Sequence, residues 1–139
     1  MMQLETFTKS DFTIAVPAGW AECAPVLANS PYEVARFIRR DHATHLCLVF
    51  RSPGGDARKR AEAARERLAA SGYANFTLAD AALGAHTGVR LDFDKGAWTV
   101  REHFVSVNDV VYCLGFGTSD PAGDAPVFDA MTAAFAIAV

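Results

Sequence analysis

Phe12-Thr13-Ile14-Ala15-Val16-Pro17-Ala18-Gly19-Trp20 is the stretch whose reading decides the fold. Phe12, Ile14 and Val16 fall on alternate positions, so they share one face of a strand. Pro17 has no N–H to give a sheet ladder, so the strand stops there or lies at an edge. Gly19 can take positive φ, which reverses the chain and folds the large aromatic Trp20 back over the strand just built. The stretch opens a small α+β domain and carries no catalytic group.

Working outward, residues 21–31 read as a loop. Residues 32–40 read as a strand with Tyr32, Val34 and Ile38 mostly in phase. Across the turn Asp41-His42-Ala43-Thr44 a second strand, 45–51, returns with Leu46, Leu48 and Phe50 on one face. Ser52-Pro53-Gly54-Gly55 stops it, and Asp56 is placed to cap a helix over 57–71. Ala57, Ala61, Ala64 and Leu68 recur at helical spacing, and an alanine-lined face lets that helix approach a sheet closely. Gly72 ends it. Strands over 76–83, 87–94, 97–107 and 110–118 follow, with turns at Lys95-Gly96 and Asn108-Asp109. Asp124 is read as the cap of a last helix, 125 to about 138, burying Phe128, Met131 and Phe135. The order of strands, helix, antiparallel strands and helix is that of an α+β domain.

Residues opposite each other in a hairpin share a face. A turn at Lys95-Gly96 pairs Phe93 with Trp98, and a turn at Asn108-Asp109 pairs Phe104 with Cys113 and Glu102 with Gly115. One face then holds Val89, Leu91, Phe93, Trp98, Val100, Glu102, Phe104, Val111, Cys113, Gly115 and Gly117. The other begins polar, with Arg90, Asp92, Arg101 and His103, and becomes apolar at Tyr112, Leu114 and Phe116. The first face is expected to be covered throughout and the second only near the last strand. Three layers, with a helix on each side of the sheet, satisfy this.

The chain has 139 residues, the length of one domain over 1–139, and its ten Phe, two Trp and three Tyr supply a core without a metal or disulfide staple. Its net charge is −3 and no basic stripe is present, which argues against nucleic-acid binding. The opening Met1-Met2-Gln3-Leu4-Glu5 has neither a basic nor an apolar leader region, and no stretch is long enough for a membrane span. Cys23, Cys47 and Cys113 are odd in number and lie in or beside apolar runs, so they read as thiols. The expectation is a cytoplasmic protein without membrane insertion.

The opening Phe-x-Ile-x-Val-Pro-x-Gly-Trp motif, the element order and the closing Phe128-Asp-Ala-Met-Thr-Ala-Ala-Phe135 helix resemble the PsbP-like superfamily. That group includes the extrinsic photosystem subunit, a Ran-binding import factor, DcrB-type proteins and the Eag-type chaperones of type VI secretion effectors. The resemblance covers nearly the whole chain. It implies a PsbP-like three-layer α/β/α sandwich around a central antiparallel sheet of about six to seven strands. It also implies a non-enzymatic adaptor, chaperone or assembly role. Eag-type members are cytosolic and dimeric, so a homodimer with a protein partner is implied. No family catalytic residue exists to carry over, and no cofactor is expected.

Candidate chemistry is sparse. His42, His45 and Cys47 have metal-ligating side chains, but their spacing matches no standard zinc motif, and a polar turn leading into a strand is the plainer reading. Cys113 and His103 fall on opposite faces and therefore cannot form a nucleophile–base pair. Glu102 is the one charged residue in the phase of the apolar face, and burial there raises its pKa unless a cation compensates. Gly115 opposite Glu102, and Gly117 opposite Val100, leave room for a packed helix or for a ligand pocket. Arg90, Asp92, Arg101 and His103 read as a solvated patch that is also the candidate partner-binding rim. Phosphate-binding loops, dinucleotide fingerprints and hydrolase elbows do not occur. The leading reading is a non-catalytic protein-binding module, and the alternative is a small-ligand or metal-binding domain using a pocket on the sheet.

Overall fold

The structure, a computed structural model, describes residues 2–41 and 44–138. In chain order the elements are β1 (Leu4–Thr8), β2 (Phe12–Pro17), β3 (Trp20–Cys23), β4 (Glu33–Arg39), β5 (Leu46–Pro53), α1 (Ala57–Ala70), β6 (Ala74–Leu83), β7 (His86–Lys95), β8 (Trp98–Val107), β9 (Val110–Thr118), α2 (Pro121–Ala134) and β10 (Ala136–Ile137). The central sheet has seven strands in the order β3-β4-β5-β9-β8-β7-β6, every pair antiparallel. A second sheet of three strands, β1-β2-β10, lies with α2 on one side of it. Helix α1 lies on the other. The α+β class and the layers around a central antiparallel sheet are as expected, and the outer layer beside α2 also carries the small sheet.

The opening motif behaves as read. Phe12, Ile14 and Val16 are buried, the strand ends at Pro17, and Gly19 takes φ +95°. Trp20 is buried in the same core as those three residues and starts β3, so residues 21–23, expected in a loop, are strand. That core lies between the central sheet and the layer of α2, with Phe116 stacked on Phe128 at 4.3 Å and Phe12 on Phe135 at 5.6 Å. A second core joins Ala61 and Ala64 of α1 to Val89, Leu91, Phe93, Phe104 and Cys113. At roughly 1.5–3 kcal/mol per buried large side chain, these two cores dominate the stability.

Helix α1 starts and stops where its sequence says. The Asp56 carboxylate accepts from the Lys59 N–H at 3.0 Å. At the other end Gly72, at φ +94°, donates to Ala69 and Tyr73 donates to Leu68, which is a Schellman closure. Helix α2 starts earlier than expected: Asp120, not Asp124, is its cap, and Pro121 occupies the first turn. Pro at the first helical position has no N–H to leave unsatisfied, so the helix nucleates there. Asp124 is instead buried inside it, and after Ala134 the chain is extended, so that β10 can pair with β2.

Two registers differ from expectation. The β7–β8 loop is Gly96-Ala97, with Lys95 opposite Trp98 and Phe93 opposite Val100. Gly96 takes positive φ at the first loop position, as a II′-type hairpin needs. The slip is two residues, so every side chain keeps its expected face. In β4 the ladder shifts between Glu33 and Ala35, inserting Val34 as an extra residue. Ala35 and Phe37 face Val49 and Cys47 in the core beside α2, the bulge sets the buried Glu33 opposite Phe50 on the other face, and Tyr32 and Val34 are exposed. The β8–β9 hairpin is as expected, Asn108 and Asp109 both having positive φ.

Coverage of the two faces also differs. The face carrying Glu102 is not covered throughout, since α1 packs on β7, β8 and β9, and Trp98, Val100 and Glu102 stay only partly buried. On the opposite face, burial extends beyond the last strand to His103 and Val105.

Candidate binding groove

The incomplete cover leaves a groove, and sheet register sets its floor. Arg36, Leu48, Gly115, Glu102 and Leu91 form one row across β4, β5, β9, β8 and β7. Ile38, Leu46, Gly117, Val100 and Phe93 form the next row. Two glycines side by side on β9 lower the floor along that strand. The Trp98 indole fills part of the gap, lying where a side chain at 117 would be. The Glu102 side chain leans over Gly115.

Over this floor lies a cavity of about 540 Å³. Leu46, Leu48 and Phe50 of β5 wall it on one side, and Ala64, Arg67 and Leu68 of α1 on the other. Its volume falls within the roughly 300–1,000 Å³ of small-molecule and side-chain pockets. Beside its mouth the 24–32 loop exposes Val26 (43%), Leu27 (63%) and Tyr32 (44%), an apolar rim of the kind that marks contact surfaces. The Glu33 carboxylate secures that loop, accepting from the Val26 N–H at 2.8 Å and pairing with Arg36. The hydrogen bonds from Arg36 and Val26 hold its pKa below the ordinary value, against the effect of burial.

The floor carries an unmet polar group. Glu102 Oε1 is sealed from solvent and has no hydrogen-bond partner, and Glu102 forms no ion pair among the described residues. Burial raises its pKa to about 7, and the nearby Arg67 guanidinium only partly opposes that. Cys113 also borders the cavity, and burial together with the Glu102 carboxylate pushes its thiol up, keeping it protonated and inert.

The predicted pocket residues Glu102, Gly115 and Gly117 thus line one cavity. Of the residues assigned to the polar patch, Arg90, Asp92 and Arg101 line one cavity beside α2, and His103 does not. Arg90 pairs with Asp92 at 2.9 Å, while Arg101 turns to Asp129 at 2.7 Å and lies over the Phe128 ring. His103 is not solvated: it is buried beside α2, with Nε2 3.5 Å from Thr132 Oγ1 and Nδ1 unpartnered. Burial, helped by Arg101 and Arg90, lowers its pKa to about 4. As expected, His103 and Cys113 lie on opposite faces of the sheet.

Of the metal-type residues, His42 lies outside the described residues. His45 is buried and bonds the Asp124 carboxylate, which also accepts from Thr118 Oγ1 at 2.7 Å. Cys47 is in the core, where burial raises its thiol pKa. Among the described residues no group of three or more His, Cys, Asp or Glu side chains is arranged to hold a metal ion. None of the described helices is long and apolar enough to cross a membrane.

Sequence reasoning did not find the β5 wall, Tyr73, Arg67 or the role of Trp98. Their meeting depends on the β5–β9 pairing and the seat of α1, and neither leaves a local signal.

No protein-family model matches the chain, and no curated protein matches it. Solved structures do. Cyanobacterial PsbP (CyanoP) from Synechocystis sp. PCC 6803 is similar, with a TM-score of 0.72 at 13% identity over 98% of this chain and 92% of that one. The Saccharomyces cerevisiae Ran-binding protein Mog1p is similar with a TM-score of 0.64 at 11% identity, over 99% and 96% of the two chains. A protein from Bacteroides thetaiotaomicron is similar with a TM-score of 0.51 at 12% identity, over 92% of this chain but 45% of its own. At such identities the likeness is one of fold, and the fold is PsbP-like.

Proposed function

We propose that this chain is a non-catalytic protein-binding module of the adaptor or chaperone kind, which holds an apolar segment of its partner in the groove between α1 and β5. One observation carries the reading. Part of a sheet face is left without a helix, and the gap is a largely apolar cavity of about 540 Å³ rather than a packed core. Apolar surface left facing water is costly at roughly 25 cal/mol per Å², so such a face is retained where something covers it. The exposed Val26, Leu27 and Tyr32 beside the mouth extend the same surface. Of the similar folds, Mog1p is by name a Ran-binding protein, which is in keeping with an interaction role. A cytoplasmic homodimer, drawn from the Eag-type resemblance, belongs to the same reading.

Affinity capture from native lysate with paired baits tests it. A partner retained by the native protein and lost on Leu48→Asp, with the variant's melting temperature unchanged, is the expected result. Equal retention by both baits, or by neither, contradicts groove binding. Light scattering reads the oligomeric state separately.

A further inference from the structure

The groove floor is chemically specific. Glu102 Oε1 is an acceptor with no partner, among apolar and aromatic neighbours. An acceptor sealed this way is destabilising relative to one that is satisfied, so a ligand group that supplies a donor recovers that cost. Among the described residues none of the nearby cations bonds it. Arg36 is bound to Glu33, and Arg60 donates to Ser52 Oγ at 2.6 Å. Arg67 of α1 faces Glu102 without bonding it, and Cys113 of β9 is the other titratable neighbour. Trp98, Tyr73 and Phe93 line the same cavity, and aromatic faces favour a cation.

We propose that the segment held in the groove carries a lysine whose ammonium group donates to Glu102 Oε1, its methylene stem lying along the apolar floor. This rests on the groove reading above and adds the chemistry of the occupant. A four-carbon stem matches the apolar stretch of floor formed by Leu46, Leu48 and Val100, with Glu102 as the acceptor at its end. A single unpartnered acceptor oxygen suits a compact ammonium better than the two-pronged guanidinium of an arginine. Docking re-ionises the carboxyl: below about pH 7 the bound cation displaces the proton that burial retains, and that proton is released to solvent.

Titration with n-hexylammonium, against its neutral counterpart n-hexanol, isolates this chemistry, with the amide NMR signals of Gly115 and Gly117 as readout. At pH 8 the native protein should bind hexylammonium about tenfold more tightly than hexanol, the gain expected of a charge-assisted over a neutral bond. The preference should vanish in Glu102→Gln and Glu102→Met, with hexanol affinity retained, and should weaken at pH 5. Equal binding of the two probes by the native protein overturns the lysine proposal and leaves the apolar groove standing. Binding of neither overturns both. With a photo-crosslinking side chain placed at Leu48, a captured partner peptide with a lysine adjacent to the crosslink supports the proposal, and an apolar peptide without one contradicts it.

Discussion

Trp98 lies over Gly117 so closely that a Cβ at position 117 would come within 2.2 Å of the indole Cζ2. The glycine at the neighbouring floor position is different, since a Cβ at 115 would meet the Glu102 Cγ at 3.6 Å, an ordinary contact. Neither residue has positive φ, so space alone separates them. Gly117→Ala should therefore unseat the indole and cost about 1–3 kcal/mol in urea unfolding, as overpacking does. Gly115→Ala should shift stability by less than about 0.5 kcal/mol, as a change without a clash does. Equal effects would mean that Trp98 does not fill the gap.

Adjacent residues on opposite faces make opposing contributions to pH dependence. Glu102 titrates at about 7 in the fold against an ordinary 4.5. Between those values the native state holds a proton that the unfolded chain has lost, so this group's stability contribution falls as pH rises through the window. His103 titrates at about 4 against 6.5, so over that range the unfolded chain takes a proton that the native state refuses. Its contribution is lost as pH falls. Each effect is on the order of 3 kcal/mol at most. Relative to the native protein, Glu102→Gln should gain stability between pH 4.5 and pH 7, and His103→Gln should gain it as pH drops from 6.5 to 4. Denaturant midpoints measured from pH 4 to pH 8 check both, and slopes of the same sign would refute the assignment.

The buried cluster of His45, Asp124 and Thr118 ties β5, β9 and the first turns of α2 together. Asp124→Ala leaves an imidazole and a hydroxyl without their shared acceptor and should cost about 2–4 kcal/mol, within the range for breaking a buried polar network. Thr118→Val should cost less, about 1 kcal/mol, because the His45 bond survives. Chemical denaturation of both variants at pH 7 is the check, and a neutral Asp124→Ala would show that the cluster contributes nothing.

Local chemistry explains which parts of this architecture can be read from sequence. Asp56 and Gly72 each sit beside the backbone groups they satisfy, so both ends of α1 are legible. Asn108-Asp109 fixes the β8–β9 register and with it the pairing of Glu102 with Gly115, which is how the pocket residues can be found. The β7–β8 register is ambiguous because Gly96 can occupy either loop position, yet a slip of two residues leaves the faces unchanged. Two aspartates, 120 and 124, each have a proline within two residues, and nothing local decides which one caps α2. The inserted Val34 shifts the phase of β4 only before Ala35 and is visible only against its partner strand. His103 reads as exposed because its neighbours are charged; α2, remote in sequence, buries it. The groove wall at Leu46, Leu48 and Phe50 likewise depends on pairing with β9 more than sixty residues away.

Site-specific photo-crosslinking tests the groove most directly. A benzophenone side chain is placed at Leu48 in the wall, and in a control at Arg58 on the outer side of α1. In native cells the Leu48 probe should capture one discrete partner protein, the Arg58 probe should not, and excess n-hexylammonium should suppress the capture. Identical capture from both positions, or none from Leu48 while the folded protein is present, would contradict a groove that holds its partner.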